Sequence, residues 1–152
     1  MPRSRLLLCL AYLAAAVLAM FGTWTQNVAY IRPEEGSVLG FIYATGRFWP
    51  ETLVTPASTS ITVDLAVLLL PLIAFMVIEA RRLGIRFVWL YVALGFLVAI
   101  SVTFPLFLIA REWRLAKAGE ASADLGLSRG DWIATGVISA ATVGLTLWTI
   151  LR

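Results

Sequence analysis

Four long apolar runs, separated by polar connections of very unequal length, dominate the pattern along this chain. The first covers residues 6–24. The second, 61–78, is interrupted only by Asp64 and Pro71. The third, 87–110, holds no charge and carries Pro105 in its second half, and the fourth is 132–151. Each approaches the ~20 residues that cross ~30 Å of hydrocarbon as a helix, and in lipid a lone spanning segment satisfies its backbone only as a helix. The pattern predicts an all-α integral membrane protein of four helices, one membrane domain over 1–152.

The connections refine this. Residues 25–60 contain three prolines and three glycines. Their middle, "VLGFIYATGRFW" (38–49), is apolar and aromatic but too short to span, so an interfacial or partly re-entrant element across one end of the bundle is expected. "EARRLGIR" (79–86) reads as a hairpin between the second and third helices. Gly84 permits the turn, Glu79 pairs with Arg82 three residues on, and Arg81, Arg82 and Arg86 meet lipid headgroups. Residues 111–131 are charged, and their first part is expected to extend the third helix. "SRGD" (128–131) predicts a capping box that opens the fourth helix.

Composition agrees with lipid as a solvent. The 152 residues are 61% hydrophobic and 14% charged, with mean hydropathy +0.90; a soluble domain has about 45–50% apolar and about 25% charged residues. The net charge of +3 does not point to nucleic acid, because the basic residues sit beside apolar runs, where headgroups and the positive-inside rule account for them. A cleaved signal peptide is not expected, since the first run is long enough to span. With both termini cytoplasmic, six basic residues (Arg152 among them) fall inside and six outside. The short arginine-rich hairpin and the N-terminal tail decide for that arrangement in the bacterial cytoplasmic membrane. Trp24, Trp49, Trp113 and Trp132 then belong to the outer interface, and Trp89 and Trp148 to the inner one.

Candidate chemistry is sparse. One cysteine, Cys9, excludes an intrachain disulfide and CxxC chemistry, and the lack of histidine removes imidazole catalysis and histidine-held metals. No cofactor and no metal site are expected. Asp64, a turn inside the second helix, is the one carboxylate within an apolar run, and so a candidate to hold or donate a proton. Asp64, Leu68, Pro71 and Phe75 share a helical stripe that Glu79, the weaker candidate, continues. Gly136, Ala140 and Gly144 form a small-residue stripe on the fourth helix, suited to close packing within the bundle or against a partner membrane protein or second copy.

Asp64 with its apolar helix, "EARRLG" with a tryptophan shortly after, and "PLFLIARE" closing the next helix resemble an uncharacterised bacterial family of small integral membrane proteins, catalogued as a domain of unknown function. The resemblance runs from about Leu6 to Glu112 and implies a compact helical membrane unit without an assigned activity. A fainter similarity is to membrane-bound terpene cyclases. It implies Asp64 as proton donor, Glu79 as a distant second acid, and Phe75, Phe104 or Phe107 as pocket walls. The two acids stand about 22 Å apart along one helix, too far to serve one carbon. The expected function is therefore an accessory subunit or lipid-associated scaffold of the bacterial inner membrane, with an isoprenoid cyclase as the alternative.

Overall fold

A computed structural model describes residues 1–32 and 36–151, with Ser37 described by its backbone alone. Among these residues there is no strand. The helices are α1 (Arg3–Asn27, continued by a 3-10 turn, Val28–Tyr30), α2 (Ser37–Glu51), α3 (Pro56–Leu83), α4 (Val88–Leu94), α5 (Ile100–Lys117) and α6 (Arg129–Leu151). A π-helical turn, Gly95–Ala99, joins α4 to α5. Four stretches are long and apolar enough to cross a membrane: Arg3–Tyr30, Pro56–Leu83, Val88–Lys117 and Arg129–Leu151. The protein is an all-α membrane protein.

Local chemistry sets the helix ends. Thr55 precedes α3, and its hydroxyl accepts from the Ser58 N–H at 3.1 Å while Ser58 Oγ accepts from the Thr55 N–H at 3.1 Å. Pro56 occupies the first helical position, where no N–H is needed. The helix stops at Gly84, whose φ of 63° is the left-handed conformation that glycine adopts without steric penalty. At α6 the expected capping box is present: the Asp131 carboxylate accepts from the Ser128 N–H at 2.8 Å, and Ser128 Oγ accepts from the Asp131 N–H at 3.2 Å.

The third apolar run departs from expectation. One straight helix would hold Tyr91 and Phe107 about 24 Å apart. Their rings instead meet edge to face with centroids 5.8 Å apart. Backbone at Ala99 is extended (φ −178°, ψ 137°), and the chain turns back there, so that α4 and α5 are two arms of a hairpin. Gly95 allows the arms to close: a Cβ there would stand 2.8 Å from Ile100 Cδ1 and 3.1 Å from Thr103 Oγ1. The descending arm, 88–99, is about 18 Å long, well short of the ~30 Å hydrocarbon layer.

The hairpin packs on α3. Met76 and Ala80 of α3, Val88 and Val92 of α4 and Phe107 of α5 form the buried core, bordered by Ile73, Tyr91, Ile100 and Phe104. Phe75 joins through edge contacts to Phe104 and Phe107, at 6.3 and 6.5 Å. On the other side, α1 lies against α5 and α6. A Cβ on Gly22 would stand 2.7 Å from Thr146 Cγ2, whereas Ser4 and Arg5 bond to the carbonyls of Ala123 and Ser122, just before α6. The two helices therefore run parallel, and the start of α1 and the end of α6 lie at opposite ends of the bundle.

This reversal redistributes the polar ends. Residues at the start of α1, the α3–α4 turn, the end of α5 and the start of α6 share one end, here called the basic end. The region of α2 and the end of α6 forms the other. Trp113 and Trp132 thereby join Trp89 at the basic end, and Trp148 joins Trp24 and Trp49 opposite, which corrects the expected belt by three residues. The segment expected at 38–49 is the helix α2. It turns Gly40, Phe41, Ala44, Thr45 and Phe48 inward and leaves Val38, Leu39, Ile42 and Tyr43 exposed.

The hairpin is directly testable. In a Cys9→Ser background, cysteines at Tyr91 and Phe107 are expected to be bridged within one chain by a short bis-maleimide. Loss of free thiol without intrachain bridging, read by intact-mass spectrometry, would mean a straight helix.

Candidate functional site

Two places concentrate polar groups inside an otherwise apolar molecule. The first, at the basic end, is a chain of alternating charges. Glu112, only 1% exposed, accepts from Arg5 Nη1 at 3.1 Å and from Arg111 Nη1 at 2.9 Å. Arg111 Nε lies 3.5 Å from Glu79 Oε2, Glu79 pairs with Arg82 at 3.0 Å, and Arg82 Nη1 reaches Glu120 at 3.1 Å. Helices α1, α3 and α5 and the segment after α5 are thus joined by three arginines and three glutamates. Each buried charge has an opposite neighbour, the condition under which an ion pair survives away from water. Arg82 also lies in the last turn of α3, where a cation complements the helix dipole.

The second place is a half-open cavity of about 280 Å³ at the opposite end. It exists because the hairpin stops short: residues 95–101 form its floor, Leu65 and Leu69 of α3 and Thr23, Trp24 and Asn27 of α1 its sides, and α2 closes over it with Phe41, Ala44, Thr45 and Phe48. Irregular backbone at membrane depth is tolerated where it is buried in protein or lines a cavity, and the hairpin tip does the latter. Pro105 deprives the Ser101 carbonyl of its usual helical N–H, and Ser101 lines this cavity. Trp24 stacks parallel on Phe41 at 5.7 Å, while its buried Nε1 has no hydrogen-bond partner among the described residues. Beside the cavity lies a polar hollow lined by Arg32, Arg47 and Glu51, sharing Gln26 and Tyr30 with it. Arg47 donates to the Tyr30 carbonyl at 2.7 Å, and the Tyr30 hydroxyl donates to Glu51 at 2.7 Å.

The residues singled out from the sequence fall as follows. Asp64 is exposed and is not among the residues lining the cavity, although Leu65 beside it is. Asp64, Leu68 and Pro71 are exposed on α3, whereas Phe75, at the end of that stripe, reaches Phe104 and Phe107; the buried side is Leu69, Met76 and Ala80. Glu79 sits in the ionic chain and pairs with Arg82, as its spacing predicts, with a second arginine added. Arg81 and Arg86 are exposed, whereas Arg82 is engaged by two carboxylates. Gly136, Ala140 and Gly144 are exposed, and a Cβ on either glycine would meet nothing within 4 Å. Cys9 is buried. Phe75, Phe104 and Phe107 pack on one another around the core and are absent from the cavity lining. Among the described residues no group of three or more cysteines and carboxylates is placed to hold a metal.

Sequence reasoning passed over Glu112 and Arg5. They stand 107 positions apart, and nothing local links them; Glu112 read as an ordinary charge beyond the third run. The cavity also lacked a signal, because it depends on a turn that the apolar pattern does not mark.

A family model described as "Protein of unknown function DUF2834" matches residues 11–113, and the chain belongs to this family. The match takes in the whole cavity and the Glu79–Arg111–Glu112 part of the ionic chain, and ends before α6. No curated protein and no solved structure matches the chain. Nothing in these comparisons supports a terpene cyclase.

The ionic chain implies a measurable asymmetry. Glu112→Ala leaves Arg5 without its carboxylate and should destabilise the protein by roughly 3–5 kcal/mol in a detergent-solubilised unfolding assay. Asp64→Asn, on the outward side of α3, should change stability by less than about 0.5 kcal/mol.

Proposed function

We propose that this is a small bacterial inner-membrane protein without enzymatic activity, an accessory subunit or lipid-associated scaffold that docks a membrane-protein partner or a second copy through α6. The observation that carries this reading is the state of α6. Its 23 residues include none that is buried, and its stripe of small residues opens on empty space. Without a hydrophobic driving force between helices in lipid, close backbone approach over such a stripe is a main source of association. At the basic end, Arg81 and Arg86 project beside exposed Phe87 and Trp89, a combination suited to anionic headgroups and the interface.

Charge supports an orientation. Arg3, Arg5, Arg81, Arg82, Arg86, Arg111, Arg114, Lys117 and Arg129 belong to the basic end. Only Arg32 and Arg47 belong to the other, and Arg152 lies outside the described residues. The basic end is the cytoplasmic one by the positive-inside rule. The N-terminus is then cytoplasmic and the end of α6 faces outward, in place of the arrangement with both termini inside.

Two measurements test this. Gly136→Leu with Gly144→Leu should leave the monomer's thermal stability unchanged and remove its partner or second copy in native mass spectrometry of gently extracted protein. Unchanged particle mass and composition would refute docking through α6. Alkaline phosphatase fused after residue 152 should be active outside the cell, and an inactive, full-length fusion would reverse the orientation.

A further inference from the structure

The turn between α3 and α4 is pinned on both sides and exposed between the pins. Ile85 packs against the core, and its N–H closes α3 by bonding to the Ala80 carbonyl at 2.9 Å. Val88, three residues on, is 4% exposed. Between them Arg86 and Phe87 are both exposed, and Phe87 is 75% exposed. Among the described residues Phe87 is also the one non-glycine with a positive φ (φ 61°, ψ 34°). That region is disfavoured for a bulky side chain, so the conformation needs compensation, and an aromatic ring left in water provides none.

The arginines of this end divide by partner. Arg5, Arg82 and Arg111 hold the carboxylates of Glu79, Glu112 and Glu120. Arg81, in the last turn of α3, and Arg86 are exposed and enter no ion pair among the described residues. A guanidinium is always charged, and its planar fork of donors matches phosphate oxygens. The turn joins two helices apolar enough to cross a membrane, so it lies where hydrocarbon gives way to headgroups. Phe87, Trp89 (59% exposed) and Leu90 (56% exposed) add an apolar surface beside the two charges.

We propose that this turn binds an anionic phospholipid, with Arg81 and Arg86 donating to the phosphate and Phe87 and Trp89 set against the glycerol and acyl region. Two unpaired cations favour a lipid with net negative charge, since a zwitterionic headgroup brings a cation of its own. Burial of the Phe87 ring in lipid supplies the compensation that its backbone lacks in water. Arg82 takes no part, because Glu79 and Glu120 already engage it. This site rests on the lipid-associated reading above and does not involve α6.

Thermal unfolding of the full chain in dodecyl maltoside, titrated with dioleoylphosphatidylglycerol, tests the site. A saturable rise in Tm is expected, which neither dioleoylphosphatidylcholine nor glycerol phosphate reproduces. An arginine near an anionic surface is worth about fivefold in affinity, so Arg81→Gln with Arg86→Gln should raise the half-saturating lipid concentration about 25-fold. Arg82→Gln should lower the starting Tm and keep the wild-type half-saturation. Phe87→Gly should unfold at or above the wild-type temperature without lipid, yet bind the lipid more weakly. An equal rise with phosphatidylcholine or glycerol phosphate, or wild-type half-saturation in the double variant, overturns the proposal. If the double variant does not fold, Arg86→Gln alone decides, with about fivefold expected. Each variant leaves α6 intact, so failure here is separable from failure of docking through α6, which is read by particle mass.

Discussion

A chain that reverses direction in an apolar segment cannot rely on bulk water for its backbone, and at Gly95–Ala99 it does so in a π-helical turn that packs on α1 and lines the cavity. The rest of the architecture follows from this turn. Because the α4 arm is short, the space beyond its tip is left for a cavity. Because α5 returns to the side it came from, Arg111 and Glu112 arrive beside Glu79 and Arg5 rather than at the far side. The reversal also carries α6 across in the same direction as α1.

The two polar regions are held by different physics. At the basic end, charges sit where headgroups and water begin, and pairing in an alternating chain lets one of them, Glu112, be fully enclosed. A group so placed joins helices and specifies which neighbours meet. At the other end the lining is neutral and aromatic, and the polar groups are single donors and amides. Exposed α6 adds a third feature, a small-residue face that no other part of the described chain covers.

Much of the fold was legible in the apolar pattern. Four long runs in a chain with few charges leave helices in lipid as the one workable solution, and the capping residues at 128–131 and the turn at Gly84 are local features that sequence displays. The pairing of Glu79 with Arg82 is local as well, three positions along one helix. The candidate site was far less legible. Asp64 drew attention because a carboxylate in an apolar run is costly, yet the structure places it about two turns into α3 on an exposed side. Glu112 lay just outside a run and so carried no such signal, although it is the buried one.

By itself the sequence determined membrane solvation, helical content, the short connection at Gly84 and the caps, since each depends on residues within a few positions of one another. The path of residues 88–117 was decided by tertiary structure alone. Its charge-free apolar part, residues 88–110, satisfies lipid equally well as one span or as a hairpin, and Pro105 marks neither. What separates the two is packing across helices: Phe107 buried among Met76, Ala80, Val88 and Val92, and Glu112 neutralised by an arginine more than a hundred positions away. Those contacts exist only once the chain is folded, and the cavity, the shared side of the charges and the parallel course of α1 and α6 all follow from them.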